Sequence, residues 1–295
     1  MRPHHIGCGE TISQPNKDRG SVDSQRSTSA GVSMKTRNLV SKGQSNNPGP
    51  RHLAFIMDGN GRWAESRGMN RSQGHKAGLK ALERIVLACS ERNIPYVSFY
   101  AFSTENWKRP AREIRTIFLL MDLFFRRRMQ DLKKRNIRIL VSGDWEALPA
   151  RSREIAETCI RETATATGIT VNLCMNYGGQ MEMRRACALW AARSHETGDY
   201  SLPDETEMRE LLYSGLPDVD LMVRTGGDHR ISNFLLYQMA YAELFFLEQP
   251  WPDFEEGLLQ RVLNSFQNRE RRMGGLGGAA PARGTKQGAR LGSPG

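Results

Sequence analysis

LAFIMDGNGRW, residues 53–63, passes from an apolar run into a carboxylate, two glycines and an arginine within five residues. The apolar part reads as a buried strand, and the polar part as the loop at its carboxyl end. Strands are expected at residues 52–57, 96–102, 137–142, 169–176, 220–224 and 243–247. Helical patterns lie between them. One runs from Glu113 to Arg135, with Ile114, Ile117, Phe118, Met121, Phe124 and Phe125 at helical spacing. Alternating strands and helices predict an α/β fold, a single domain with a mostly parallel six-stranded sheet flanked by helices. In such sheets ligands bind beyond the carboxyl ends of the strands, so the chemistry is expected in the segments that follow them.

The chain has 295 residues and a formal charge of +10, and the placement of that charge matters more than its size. Residues 1–51 carry +5 and residues 269–295 carry +5, whereas residues 52–268 hold 28 basic and 28 acidic side chains. A neutral body argues against a nucleic-acid groove, despite the high pI. Five cysteines, an odd number with no CxxC pair, indicate neither a disulfide framework nor a zinc site. Cys89, Cys174 and Cys187 have apolar neighbours and are expected in the core. A reducing cytoplasm fits this usage. No apolar stretch approaches the roughly 20 residues of a membrane span, and the N-terminus lacks the apolar core of a secretory signal.

Residues 1–50 are polar, rich in Ser, Arg, Gly, Asn and Gln, and are expected to be a disordered extension. Met34 is an alternative start, and a transit peptide is an alternative reading of the same stretch. The catalytic domain is expected over 51–273, followed by a flexible tail at 274–295.

After the first strand, Asp58, Gly59, Asn60, Gly61 and Arg62 form a glycine turn whose N–H groups can converge on an anion. A helix starting near Ser72 or Gly74 would add its positive end, and Arg71 and His75 add donors. The loop is neither a Walker A loop nor a GxGxxG fingerprint. Asp58 would repel phosphate unless a Mg²⁺ bridges the carboxylate and phosphate oxygens. A plain turn with Asp58 as a cap is the alternative. After the second strand, FSTENWKRP offers Ser103, Glu105, Asn106, Trp107 and Arg109 ahead of a helix opened by Pro110; a capped helix start would explain Ser103 or Asn106 alone. After the fifth strand, RTGGDHRISNF brings Arg224, His229, Arg230 and Ser232 within nine residues, a second anion cradle. Two such cradles suggest two diphosphate substrates. The Phe- and Met-rich helix at 113–129 could line a cleft for hydrocarbon or simply pack the core.

HLAFIMDGNGRWA, GHKAG, FYAFSTENWKRP, NYGG, VRTGGDHRISNFLLYQMAYAELFF, WPDF and NRERR, in this order over about residues 51–274, resemble the cis-prenyltransferase family, most closely its bacterial undecaprenyl diphosphate synthases. The resemblance implies an apolar tunnel between sheet and helices. It also implies Mg²⁺-dependent, repeated addition of isopentenyl diphosphate to an allylic diphosphate such as farnesyl diphosphate, each step making a cis double bond. By the same resemblance Asp58 is the metal-site carboxylate. Gly59, Asn60, Gly61 and Arg62 hold the allylic diphosphate, with Trp63, Arg71, His75 and Arg109 around it. Ser103, Thr104, Glu105 and Trp107 continue the site. Asn106 is linked to proton removal, and because an amide is a poor base it is expected to position a proton path. Arg224, Arg230, Ile231 and Ser232 bind isopentenyl diphosphate, while His229 and Glu243 match metal-linked positions, across a homodimer. A cytoplasmic enzyme making peripheral membrane contact for product release follows. Ile169 matches a bulky position at the tunnel floor. The trans-type synthases use paired DDxxD motifs, and this sequence has no DD dipeptide. A non-catalytic partner subunit of the same fold would be expected to lose DGNGR and ENW, which this chain keeps. Three residues depart from the family pattern: Asp228 where Glu is common, Gln180 for Arg and Tyr237 for Trp.

Overall fold

The computed structural model describes residues 49–268. The extensions expected at 1–50 and 274–295 fall outside the described residues, apart from Gly49 and Pro50.

Six strands form one sheet: β1 (His52–Ile56), β2 (Tyr96–Ser103), β3 (Arg138–Ser142), β4 (Thr170–Tyr177), β5 (Leu221–Arg224) and β6 (Glu243–Phe246). Each agrees with its expected run to within one residue at either end. The order is β3-β4-β2-β1-β5-β6, and every adjacent pair is parallel. Chain progression reverses at β1, which has β2 on one side and β5 on the other. Open parallel sheets form their binding crevice at such a reversal. Ile56 of β1 is level with Arg224 of β5, so the loops carrying Asp58 and Asp228 leave the sheet side by side.

The helices are α1 (Asn60–Glu65), α2 (Arg71–Glu91), α3 (Ala111–Lys134), α4 (Ala150–Glu162), α5 (Gly179–Thr197), α6 (Glu205–Leu211) and α7 (Glu256–Gln267). Alternate strand residues feed two cores. Leu53, Phe55, Phe99, Leu173 and Val223 join Ile85, Phe118, Trp251 and Phe254 in one. Ala54, Ile56, Cys174 and Met222 join Phe234, Leu235 and Met239 in the other. β1 and β4 are buried on both faces, and in β1 this leaves a nearly unbroken apolar run after His52. Burying one large apolar side chain contributes about 1.5–3 kcal/mol, so this two-sided core holds the sheet rigid beneath its loops.

Cys89, Cys159 and Cys174 are buried. Cys187 corrects the expectation, because it is exposed on α5. The buried side of that helix consists of Gly179, Glu182, Ala186 and Ser194, and the residue after Ala186 points about 100° away from it. Among the described residues no helix is long and apolar enough to cross a membrane.

Candidate active site at the sheet reversal

The loop after β1 turns straight into α1, which sequence reasoning missed, because six residues are too few to show a helical period. Gly59 precedes it at φ 95°, a left-handed conformation that an L side chain resists. The helix expected from Ser72 or Gly74 begins at Arg71, one residue before Ser72. Its first turn is already capped: Asn70 Oδ1 accepts from Gln73 N at 3.1 Å, and Gln73 Oε1 accepts from Asn70 N at 3.0 Å. The reason for GHKAG is packing. Gly74 and Gly78 lie on one side of α2, where an added methyl would overlap the Asn60 carbonyl oxygen and Asn60 Oδ1 respectively. These glycines let α2 lie flush on the first turn of α1, so Asn60, Arg71 and His75 line one crevice.

Glu113 joins the donors of this first cradle, and sequence reasoning overlooked it. Its carboxylate meets Arg71 Nε at 3.3 Å, His75 Nε2 at 3.3 Å and Arg109 Nη1 at 3.1 Å. Burial raises the Glu113 carboxyl, but Arg71, Arg109 and His75 more than offset it and hold it below its ordinary value. Burial lowers the His75 pKa despite Glu113, so the ring is neutral near pH 7. The available signal was the i,i+4 spacing from Arg109 to Glu113. Arg71 also pairs with Glu65 at 2.8 Å. Trp63 Nε1 donates to Asp253 Oδ1 at 2.6 Å, fixing α1 to the WPDF segment.

The second cradle is one continuous loop around Arg224, whose side chain is 4% exposed. Its Nη1 donates to Arg230 O at 2.6 Å and Ser232 Oγ at 2.7 Å. Its Nη2 donates to Asp58 Oδ2 and Asp228 Oδ2, both at 2.9 Å. Arg230 Nη2 donates to the same Asp228 oxygen at 2.7 Å. Burial raises the Asp228 carboxyl, but Arg224 and Arg230 hold it below its ordinary value. The loop carries stored backbone strain, with Ser232, Asn233 and Leu235 at φ 48°, 63° and 39°. Asn233 pins it: its carbonyl accepts from Gly179 N at 2.7 Å, its Oδ1 accepts from Gln180 N at 2.8 Å and its Nδ2 donates to Glu105 Oε1 at 3.2 Å. NYGG and TENW are therefore braces for this loop as well as site residues.

After β2, a 3-10 turn spans Thr104–Lys108. Asn106 Oδ1 accepts from Ser103 N at 3.1 Å, which leaves its NH₂ as the free end. Thr104 Oγ1 donates to Glu105 Oε2 at 3.2 Å, and Trp107 Nε1 donates to Asn176 Oδ1 at 2.8 Å. The Trp107 ring packs on Phe102 and Phe118. Ile231 is half-buried against the second core.

Asp58 sits between the cradles, 32% exposed. Its Oδ1 accepts from Gly59 N at 2.6 Å and lies 3.6 Å from Arg62 Nη2. Thr225 Oγ1 donates to Asp58 O at 2.9 Å, a second contact that sequence reasoning missed. Asp58 and Asp228 converge on one guanidinium group and offer hard oxygen donors. Among the described residues no group of three or more ligating side chains forms. That donor set suits Mg²⁺, which keeps several waters and takes its remaining ligands from substrate phosphate. Glu243 and His229 do not join Asp58 within one chain. Glu243 opens β6 level with Leu221, at the opposite end of β5 from Arg224. His229 is 67% exposed, with its ring stacked on Phe246.

Behind the first cradle a narrow cavity runs between the sheet and α2–α3, from Asn60 and His75 past Ile117 and Met121 to Phe125. Two smaller ones continue under α3, and Phe125 lines all three. In the one that reaches Leu132, the strand-side wall consists of Ile137, Ile139 and Val171. Ile169, the expected floor residue, is buried in the same core but is not among the residues lining these cavities.

An α/β sheet with two abutting cationic cradles at its reversal, one opening on an apolar cavity, defines a crevice for two anionic groups of which at least one carries a hydrocarbon tail. The comparisons specify the class. A family profile described as "Putative undecaprenyl diphosphate synthase" matches residues 56–274. The isoprenyl transferase of Leptospira interrogans is 44% identical over 77% of this chain and 95% of its own length. The ditrans,polycis-undecaprenyl-diphosphate synthase ((2E,6E)-farnesyl-diphosphate specific) of Photorhabdus laumondii is 42% identical over 77% of this chain and 90% of its own. Among solved structures, lavandulyl diphosphate synthase from Lavandula x intermedia, in complex with dimethylallyl diphosphate, superposes with a TM-score of 0.74 at 27% identity, over 77% of this chain and 98% of that one. A "probable undecaprenyl diphosphate synthase" from Campylobacter jejuni gives 0.64 at 36% identity, over 77% and 99%. The chain belongs to the cis-prenyltransferase family of the undecaprenyl diphosphate synthases and is an enzyme of the prenyltransferase class.

Proposed function

We propose that this enzyme condenses isopentenyl diphosphate repeatedly onto an allylic diphosphate such as farnesyl diphosphate. The product of this reading is a long-chain polyprenyl diphosphate, undecaprenyl diphosphate, the lipid carrier for cell-wall glycan synthesis. The observation that carries it is the abutment of two arginine-rich cradles at Asp58, one of them opening on an apolar cavity. Gly59, Asn60, Gly61 and Arg62, with Arg71, His75 and Arg109, hold the allylic diphosphate while its hydrocarbon enters the cavity. Arg230, Ile231 and Ser232 take isopentenyl diphosphate, and Arg224 sets their positions from beneath. Mg²⁺ at Asp58 supplies charge neutralisation for the departing diphosphate. The guanidinium groups around Asp58 stabilise the same developing charge from fixed positions. Asn106, its carbonyl held by the Ser103 N–H, presents its amide NH₂ to orient the group that accepts the lost proton.

The enzyme acts as a homodimer. Met181, Leu189, Tyr241 and Leu244 are large exposed apolar side chains, and Leu244 lies on the edge strand β6. A partner seated there would cover that edge and bring Glu243 and His229 towards a metal site. The enzyme works in the cytoplasm, at the inner face of the membrane that receives its product. Incubation with farnesyl diphosphate, labelled isopentenyl diphosphate and Mg²⁺, followed by chromatography and mass spectrometry, tests the reading. All-trans products, or no chain extension, would overturn it.

A further inference from the structure

The sequence of α3 holds seven basic and three acidic residues, inside a body whose charges balance. Two of the three acids turn inward, and the exposed third is paired. Glu113 faces the first cradle, Asp122 is buried near Arg151 at 3.8 Å, and Asp131 pairs with Arg128 at 3.3 Å. Arg112, Arg115, Leu119, Arg126 and Lys133 recur at spacings of three, four and seven, so they share the outer face, and all five are exposed. Arg127 and Lys134 flank that face. Lys133 meets Glu162 at 2.9 Å. Among the described residues Arg112, Arg115, Arg126, Arg127 and Lys134 make no ion pair with a carboxylate.

Leu119 lies in the middle of this cationic stripe and is 48% exposed. A helix that presents cations to phosphate with an apolar side chain between them suits a lipid interface. Binding to nucleic acid would leave Leu119 without a role. The inner side of the same helix lines the cavities, and Arg128 and Arg135 border the one that reaches Leu132. We infer that the outer face of α3 docks the protein on an anionic lipid bilayer, placing the hydrocarbon cavity one helix away from the membrane. This rests on the reading that the product is a long apolar lipid, but the surface has its own test.

Full-length protein is sedimented with vesicles of phosphatidylcholine alone and of phosphatidylcholine with phosphatidylglycerol. The wild type should bind only the anionic vesicles, and binding should weaken as salt rises. Each basic residue near such a surface is worth about a factor of five in partitioning, so R115S/R126S/R127S/K134S should lose about a hundredfold or more. Leu119→Ser should weaken binding without changing its salt dependence. Thermal unfolding and turnover in detergent should match wild type for both variants. The variant R283S/K286S/R290S removes all three basic residues of the C-terminal tail and should lose far less. Equal vesicle binding by wild type and the α3 variant, loss of binding through the tail variant alone, or an oligonucleotide that binds α3 and displaces the vesicles would each overturn the docking surface. Vesicle binding without chain extension would refute the proposed reaction and leave the surface standing.

Discussion

The two cradles meet at Asp58 but are built in opposite ways. The first gathers donors from separate helices: Arg62 from α1, Arg71 and His75 from α2, and Arg109 from just before α3. A glycine-permitted helix contact and the single carboxylate of Glu113 hold them together. The second is one strained loop wound around the buried Arg224, with Asp228 tying Arg224 to Arg230. A site assembled from separate helices can widen by moving a helix, as the proposed lengthening of a tail would require. A site on one pinned loop keeps a fixed shape, which suits a substrate that is the same at every cycle. Each cradle has its own organising carboxylate, and Asp58 is shared.

That arrangement makes Asp58→Ala the most damaging change. Loss of a transition-state interaction of about 4 kcal/mol corresponds to roughly a thousandfold in rate. The loop should persist, because Arg224 keeps Asp228, Ser232 and the Arg230 carbonyl. Farnesyl diphosphate binding without Mg²⁺ should therefore survive or tighten. Equilibrium binding beside single-turnover rates checks this; equal loss of both would mean that Asp58 serves only the loop.

Glu113→Gln and Asp228→Asn test whether the cradles are separable. A hydrogen bond to a charged group contributes about 1.5–3 kcal/mol, or roughly ten- to a hundredfold in an affinity term. Glu113→Gln should raise KM for the allylic substrate and spare isopentenyl diphosphate; Asp228→Asn should do the reverse. Steady-state kinetics with each substrate varied in turn decides it. Parallel shifts for both substrates in both variants would break the distinction between the cradles.

The sheet and the second cradle were legible for different reasons. Each strand is a short run rich in apolar residues, most continuous where both faces are buried as in β1, so all six were found nearly to the residue. The second cradle is contiguous in sequence, so Arg224, Arg230 and Ser232 could be seen together. The first is contiguous only in its DGNGR part. Glu113 lay hidden inside an amphipathic helix, where a carboxylate next to arginines reads as an ordinary surface pair. The short α1 and the outward turn of Cys187 were lost because a six-residue helix and a helix with a small polar buried face carry almost no periodic signal. Ile169 could be placed in the core by pattern, but which core residues face a cavity depends on helix packing that no local pattern encodes.

Gly78→Ala sharpens the comparison further. The added methyl would overlap Asn60 Oδ1 and push α2 off α1. Overpacking of this kind costs about 1–3 kcal/mol, visible as a lower Tm. Only the first cradle spans that contact, so KM for the allylic substrate should rise several-fold while that for isopentenyl diphosphate stays. A stable variant with both values unchanged would show that α2 accommodates the methyl without moving the site.

The smallest effect is expected from His52, far from the chemistry but common to both cradles. It opens β1, and its ring Nδ1 lies 2.7 Å from Pro217 O, on the segment leading into β5, so it fixes these two strands together at their entry. That contact requires the proton on Nδ1. Nε2 then accepts from Ser98 Oγ at 2.8 Å; Ser98 accepts from Asn172 Nδ2 at 3.1 Å, and Asn172 Oδ1 accepts from Ser142 Oγ at 2.7 Å. The chain crosses four strands and is complete with a neutral ring. Burial lowers the His52 pKa below 6.5, although the Pro217 carbonyl, Asp220 and Asp218 pull it upward. Stability should thus be full above pH 6.5 and fall as pH drops below it, because the unfolded chain takes up the proton first. One such group limits the slope to about 1.4 kcal/mol per pH unit. Urea unfolding at pH 7.5 and 5.5 should show the decline, and His52→Gln, though less stable at both, should flatten it. Because β1 and β5 carry both cradles, the two KM values should drift together in this variant, unlike those of Glu113→Gln. A selective change in one of them would mean that His52 supports a single cradle rather than the strand pair beneath both.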